Sequence, residues 1–171
     1  MKTKTLLLIA TALLAAVSSC KKTTTQLEDD TDAIKTYLAT NGITAEELNK
    51  VFYQVISEGT GEQYAFGDTV AIKYHVSTTE NPTNIFEKNE GNKAVVYYLP
   101  NILGGTAAGG VTPIYGLQIG LTTMKEKGIS RFYIPSSYAY GASTISSDSI
   151  QYANLIYEVE LCEIIRRDKK H

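Results

Sequence analysis

The chain has 171 residues, of which 43% are hydrophobic and 20% are charged, and its formal net charge is −2. This composition is typical of one ordinary folded domain and excludes a disordered or fibrous chain. A slightly acidic chain is also a poor candidate for nucleic-acid binding, because that binding depends on neutralising phosphates with Lys and Arg.

The amino terminus has the order of a bacterial export signal. Two lysines precede an apolar run over residues 6–17, which is too short to span a bilayer and is followed by small residues. The stretch Val17-Ser18-Ser19-Cys20 resembles a lipobox, in which the cysteine thiol is joined to diacylglycerol and becomes the first residue after cleavage. An ordinary secretory signal with a chance cysteine is the alternative interpretation.

We therefore predict that residues 1–19 are a lipoprotein signal peptide and that Cys20 carries the lipid. Removal of Lys2 and Lys4 with the signal moves the formal charge from −2 to −4. Several acyl chains on one residue would hold the protein firmly on a membrane. The expected location is the cell envelope. Lys21 favours the outer membrane, facing the periplasm, and the choice of membrane and leaflet stays open.

Between the expected lipid anchor and the folded domain, the sequence predicts a tether and a helical extension. Residues 20–28 are mostly polar, which is typical of a flexible tether. Acidic residues then precede apolar residues at helical spacing, and Asn41-Gly42 predicts the left-handed end of that helix. A second short helical turn is expected at 45–48. We thus predict a helical extension over 29–50, which serves either as a spacer or as a dimerisation arm.

The hydrophobic period changes to two at Val51, and this alternation is typical of half-buried strands. The predicted strands cover residues 51–56, 70–76, 93–99, 129–135 and 153–165. One internal helix is predicted to begin at Thr112-Pro113, a hydroxyl N-cap followed by proline, and to stop at Gly128. Its apolar face comprises Ile114, Leu117, Leu121 and Met124. Runs of strands with one helix favour an α+β domain, with an antiparallel sheet wrapped around that helix.

The cysteines and histidines give no sign of a disulfide or a metal site. Cys162 lies alone in an apolar run and is predicted to be a packing residue, so no disulfide is expected in the mature chain. Neither His75 nor His171 has a metal-ligand neighbour at suitable spacing, and we predict no metal. Residues 167–171 are predicted to be a solvated basic tail.

Several short motifs occur in a fixed order between residues 51 and 166. They are Gly59-Thr60-Gly61, Gly67-Asp68-Thr69-Val70-Ala71-Ile72-Lys73-Tyr74, Phe86-Glu87, Gly116-Leu117-Gln118-Ile119-Gly120-Leu121, Ile134-Pro135, Tyr138-Ala139-Tyr140-Gly141 and Leu155-Ile156-Tyr157-Glu158-Val159-Glu160-Leu161. In this combination they resemble the FKBP family of peptidyl-prolyl cis/trans isomerases. The resemblance implies a curved antiparallel sheet around one short helix, an aromatic-lined pocket between them and no cofactor.

The resemblance also implies roles for individual side chains. Those expected at the reacting bond are Tyr74, Phe86, Glu87, Tyr140 and Tyr157. Those expected to bind the substrate are Val95, Tyr97, Ile114, Leu117 and Ile150. Three positions depart from the family pattern: Glu87 stands where Asp is usual, Leu117 where Trp is usual and Val95 where an aromatic residue is common.

The sequence therefore leads to a primary functional hypothesis and two alternatives. The first is an isomerase that needs no cofactor and acts on Xaa-Pro bonds of proline-containing polypeptides, namely unfolded envelope proteins. The second is a non-catalytic, chaperone-like module of the same fold that binds such peptides. The third is a purely structural envelope domain. The identity of the client proteins stays open.

Overall fold

The computed structural model describes residues 25–89, 93–106, 110–143 and 150–166. The predicted signal peptide, the lipid site at Cys20, the start of the tether and the basic tail 167–171 lie outside these residues.

The described residues form one antiparallel sheet and two α-helices. The sheet has the strand order β1-β2-β6-β7-β3-β4, and β5 pairs with β3 beside β4. The elements are α1 (Gln26–Thr40), β1 (Glu46–Leu48), β2 (Val51–Ser57), β3 (Thr69–Thr78), β4 (Glu87–Lys88), β5 (Val95–Tyr98), α2 (Tyr115–Leu121), β6 (Ile129–Ile134), a 3-10 turn (Ser136–Tyr138) and β7 (Leu155–Ile165). The predicted antiparallel sheet around one helix, with a helix before it, is confirmed.

The sheet lies between the two helices because its strands alternate side chains between their two faces. Phe132 of β6 and Tyr157 of β7 are paired in register, and both belong to the main core, which also includes Leu117 of α2. Their chain neighbours Tyr133 and Ile156 are paired as well, and both pack in a second cluster. Ile34 and Leu38 of α1, together with Phe52, complete this second cluster. The helix α1 is thus docked on the sheet face opposite α2.

The helix α1 begins earlier than predicted. Thr25 is its N-cap, and a capping box joins it to Glu28: the Glu28 N–H donates to Thr25 Oγ1, and the Thr25 N–H donates to Glu28 Oε2. Residues 26–28 are therefore helical, and the prediction that they belong to a flexible tether is wrong. The helix ends at Thr40, and Gly42 has the expected positive φ of 63°.

The prediction of a helical turn at 45–48 is also wrong, because β1 occupies residues 46–48. Leu48 pairs with Val51 across a tight turn in which Asn49 and Lys50 have φ values of 47° and 70°. Two consecutive left-handed residues match the twist of an antiparallel hairpin. The turn geometry and the pairing with β2 therefore decide the conformation of this short segment.

The helix α2 is shorter than predicted at both ends. It begins at Tyr115, after an Ile114 N-cap that lacks a side-chain hydrogen bond, so Thr112 is not the N-cap. The Pro113 carbonyl instead accepts a hydrogen bond from the buried Gln118 side chain. After Leu121 the chain continues in single turns with i to i+3 hydrogen bonds and does not remain helical as far as Gly128.

In the part of the chain that the structure describes, neither helix combines the length and the apolar character that crossing a bilayer requires.

The helix α2 approaches the sheet closely at Gly116. A methyl group added at this position would lie 2.2 Å from Cγ2 of Ile134, much closer than two carbon atoms can pack. The absence of a side chain at Gly116 therefore sets the distance between α2 and β6.

We expect Gly116→Ala to lower the free energy of unfolding by about 1–3 kcal/mol, because the added methyl group overpacks the core. Urea denaturation followed by circular dichroism measures this loss. Ile134→Ala removes the carbon atom that the added methyl group would meet. The double variant should therefore lose less free energy of unfolding than the sum of the losses in the two single variants. Strictly additive losses would contradict the proposed contact.

Candidate active site

Four tyrosines from different elements meet on the α2 side of the sheet. We call Tyr74, Tyr97, Tyr140 and Tyr157 the tyrosine group. The Tyr74 ring centroid lies 5.6 Å from that of Tyr157 and 6.4 Å from that of Tyr97. Tyr74 of β3, Tyr97 of β5 and Tyr157 of β7 point to the main core because side chains alternate along each strand. Tyr140 joins this core from the loop after the 3-10 turn.

The carboxylate of Glu87 accepts hydrogen bonds from two hydroxyls of the tyrosine group. Tyr74 donates to Oε1 at 2.9 Å, and Tyr140 donates to Oε2 at 3.0 Å. The hydroxyl oxygens of Tyr140 and Tyr157 lie 3.4 Å apart. A phenol has one proton to donate, and Tyr140 directs its own to Glu87, so Tyr157 is the donor in this second contact.

The short strand β4 holds Glu87 in place. Glu87 pairs with Val76 of β3, and the preceding Phe86 donates its N–H to the Val76 carbonyl. On the same stretch of β3, the Asn89 side chain accepts a hydrogen bond from the Tyr74 N–H at 2.7 Å. Asn89 was missed in the sequence because no local motif marks a side chain that accepts a hydrogen bond from a backbone N–H fifteen residues earlier.

Apolar side chains share the main core with the tyrosine group. Leu117 of α2 is 1% exposed, and the partly buried Phe86, Val95 and Ile114 pack against the same main core. Eight of the ten residues expected at the reacting bond or in substrate binding thus belong to the main core, and Glu87 is hydrogen-bonded to two of them. Among the described residues, the exception is Ile150, which is buried but lies outside this core.

The loop that carries Tyr140 is fixed at its backbone. The Ser136 carbonyl accepts hydrogen bonds from the N–H groups of Ala139 and Gly141, which are the two neighbours of Tyr140 in the chain. The Tyr138 ring also packs edge-on against Tyr115 at the start of α2, with centroids 4.8 Å apart. Tyr140 therefore lies in a tight, hydrogen-bonded loop that packs against the start of α2.

Comparison with known proteins decides the family. The model of the FKBP-type peptidyl-prolyl cis-trans isomerase family matches residues 61–162. This chain belongs to that family. The FKBP resemblance of the sequence motifs is thereby confirmed.

A curated FKBP relative is the peptidyl-prolyl cis-trans isomerase Mip of Chlamydia trachomatis. It is 32% identical over 123 residues, which are 71% of this chain and 44% of that protein. The chain thus spans less than half the length of this relative.

Solved structures show the same FKBP fold. A peptidyl-prolyl cis-trans isomerase from Pseudomonas syringae pv. tomato is 22% identical, with a TM-score of 0.61 over 84% of this chain and 99% of that chain. FkpA from Escherichia coli is 21% identical, with a TM-score of 0.61 over 96% of this chain and 74% of its own. The N-terminal domain of FKBP42 from Arabidopsis thaliana is 25% identical, with a TM-score of 0.59 over 72% and 93%.

The phenols of this FKBP site are held in their neutral form. Burial is the main reason that the pKa of Tyr140 is raised to about 12; the hydrogen bond with Tyr157 lowers this pKa, and the charge of Glu87 raises it. Burial likewise raises the pKa values of Tyr74, Tyr97 and Tyr157 above 10.0. At neutral pH the site therefore offers hydrogen-bond donors on an apolar background, and its phenols are not nucleophiles.

The FKBP domain as described has no cluster of three or more His, Cys, Asp or Glu side chains that could hold a metal ion.

We expect Tyr140 to stay protonated in the folded protein at about pH 11, because its pKa of about 12 lies above the ordinary value near 10. The unfolded chain releases this proton first, so the stability that Tyr140 contributes falls as the pH rises from about 10 through about 12. Phenolate absorbance of the native protein at about pH 11 should be the same in the wild type and in Tyr140→Phe, whereas in urea the variant should show one phenolate fewer. A native difference at that pH would contradict the assignment.

Proposed function

We propose that this chain catalyses cis/trans isomerisation of Xaa-Pro peptide bonds at the tyrosine group. The observation that carries the proposal is the convergence of three tyrosine hydroxyls and one carboxylate on an apolar core, within a domain of the isomerase family. This arrangement suits a reaction that needs shape and hydrogen-bond donors, and it requires no proton transfer or covalent intermediate.

The reaction consists of rotation about an amide bond. The barrier is about 18–20 kcal/mol because rotation breaks amide resonance, and uncatalysed isomerisation takes tens of seconds or longer at room temperature. A site that binds the twisted amide more tightly than the planar amide lowers this barrier. Each tenfold acceleration requires about 1.4 kcal/mol of such differential binding.

We assign the roles in substrate binding mainly to residues of the main core. Leu117 supplies the apolar floor for the proline ring, and Tyr74, Phe86 and Tyr157 supply the walls. Tyr140 donates its hydroxyl to a carbonyl of the substrate. Val95, Tyr97 and Ile114 complete the proposed apolar lining, and Ile150, which lies outside the main core, is proposed as part of its rim. Because Leu117 presents less surface than the Trp usual in the family, we expect the acceleration to be modest.

A second candidate function is peptide binding without useful turnover. The observation in its favour is that the Tyr140 hydroxyl already donates to Glu87. To donate to a substrate carbonyl, this hydroxyl must give up a charge-assisted hydrogen bond, which is stronger than a neutral one. Proline-containing peptides, namely segments of unfolded envelope proteins, are the proposed ligands in both cases.

A proline-limited peptide assay tests the isomerase proposal. The full chain should accelerate isomerisation, and Tyr140→Phe should lower kcat/KM about tenfold, because one donor aimed at the substrate carbonyl is lost. If the chain binds a proline peptide but does not accelerate isomerisation over buffer, the isomerase proposal is rejected and the peptide-binding module is supported. If it neither binds nor accelerates, a purely structural domain is supported.

Tyr53→Phe is the matched control for this assay. It removes one phenolic hydroxyl, which donates to Glu46 at the β1-β2 hairpin and lies outside the tyrosine group. We expect its kcat/KM to stay within about twofold of the wild type. An equal loss in both variants would show that any lost tyrosine hydroxyl disturbs the protein, and the role of Tyr140 would fall.

We further propose that Cys20 carries a lipid anchor after cleavage of residues 1–19, which would place the protein in the cell envelope. The support is the sequence order of charged, apolar and small residues before Cys20. The outer membrane, facing the periplasm, is the proposed site of the anchor.

Metabolic labelling with a fatty acid tests the anchor. The wild type should take up the label and sediment with membranes, and Cys20→Ala should do neither, because the lipid is attached through sulfur. Cys162→Ala is the control that removes the other cysteine, and it should retain the label. Label that persists in Cys20→Ala would reject the anchor at that residue.

A further inference from the structure

A buried carboxylate connects α1 to the loop that carries Tyr140. Asp30 is 3% exposed, and its Oδ2 accepts hydrogen bonds from the Ser136 hydroxyl at 2.7 Å, the Ser137 N–H at 3.1 Å and the Ser137 hydroxyl at 3.0 Å. Its Oδ1 accepts a hydrogen bond from the Gln26 side chain at 2.8 Å. Within the described ranges, no Lys, Arg or His forms an ion pair with Asp30.

Asn154 completes the connection. Its Oδ1 accepts a hydrogen bond from the Ser136 N–H at 3.0 Å, and its Nδ2 donates to the backbone carbonyl of Asp30 at 3.4 Å. Asp30 and Asn154 together therefore satisfy the first two N–H groups of the 3-10 turn, which have no partner inside such a turn. Ser136 is held at its N–H and at its hydroxyl.

Ser136 passes this constraint to Tyr140. The Ser136 carbonyl accepts hydrogen bonds from the N–H groups of Ala139 and Gly141, which flank Tyr140. The Tyr140 hydroxyl contacts Glu87 and Tyr157. Hydrogen bonds and the covalent backbone of residues 136–141 thus connect Asp30 of α1 to Tyr140, whose hydroxyl lies on the α2 side of the sheet. The loop that carries Tyr140 follows β6 in the chain, and Asp30 holds the start of this loop.

We propose that Asp30 is a positioning residue for the isomerase site, which sets the location of the Tyr140 hydroxyl through Ser136. The inference rests on the proposed isomerase function. Asp30 is not the sole attachment of α1, because Ile34 and Leu38 also pack this helix on the sheet. A buried carboxylate without a cation is costly unless hydrogen bonds compensate for the lost water. At Asp30, three of those hydrogen bonds come from Ser136 and Ser137.

A double-mutant cycle tests this role in the full chain, with Asp30→Ala, Tyr140→Phe and the combined variant in the proline-limited peptide assay. Asp30→Ala should lower kcat/KM about tenfold in the wild type and less than about twofold in the Tyr140→Phe background, because Asp30 acts through that hydroxyl. Asp30→Asn keeps an acceptor of the same shape and should recover most of the activity. Equal losses in both backgrounds would overturn the proposal.

Leu38→Ala is the matched structural control. It weakens the packing of α1 and keeps the side chains that hydrogen-bond to Ser136, so it should lower the urea midpoint while the kcat/KM of the folded protein stays within about twofold. A tenfold loss in this variant would show that any loosening of α1 impairs the site, and the specific role of Asp30 would fall. If Asp30→Ala does not fold, Ser136→Ala takes its place in the double-mutant cycle. This variant removes the hydroxyl that donates to Asp30.

A second measurement separates this inference from the isomerase proposal. In protein with 13C-labelled tyrosine, the ring resonance of Tyr140 should shift in Asp30→Ala and stay in place in Leu38→Ala. The resonance is assigned by its absence in Tyr140→Phe. An inactive wild type would reject the isomerase proposal alone, whereas an unmoved Tyr140 resonance in Asp30→Ala would reject the positioning role whatever the activity.

Discussion

The alternation of side chains along β6 and β7 is the constraint on which the rest of the molecule depends. Phe132 and Tyr157 enter the core under α2, and the adjacent Tyr133 and Ile156 enter the cluster under α1. Because both faces of these strands are covered, a slip of one residue would exchange the two sets. Tyr157 would then leave the tyrosine group. The register of two central strands therefore fixes both the core and the site.

The chemistry of the site follows from placing phenols around one carboxylate in apolar surroundings. Glu87 accepts hydrogen bonds from the Tyr74 and Tyr140 hydroxyls, and burial keeps these phenols neutral. Such a site has polar groups that are already satisfied before a ligand arrives. A ligand carbonyl must therefore compete with Glu87 for the Tyr140 hydroxyl. The balance between turnover and simple binding depends on how readily this carboxylate releases one of its two donors.

The sequence predicted the parts of the fold that have a long and regular pattern. The strands β2, β3, β6 and β7 were visible because each covers six or more residues, which is long enough for a period-two pattern in the sequence to be read. The three-residue β1 was mistaken for a helical turn because its conformation depends on the pairing with β2. The α2 start was misplaced because the Thr112-Pro113 signal lies in a loop held by Gln118. The contact between Asp30 and Ser136 spans 106 residues and leaves no local pattern.

Docking of α1 also changes what the amino-terminal segment can do. A helix packed on the sheet by Ile34 and Leu38 and joined to the 3-10 turn by Asp30 is part of the domain, so it adds nothing to the length of a free spacer. With a lipid at Cys20, the segment that remains before Gln26 has six residues and a maximum reach of about 20 Å. The proposed anchor would therefore hold the domain close to the bilayer, with the amino end of α1 nearest to it. Unfolded clients would then have to reach a domain that is held close to the bilayer, because the docked α1 cannot serve as a longer arm.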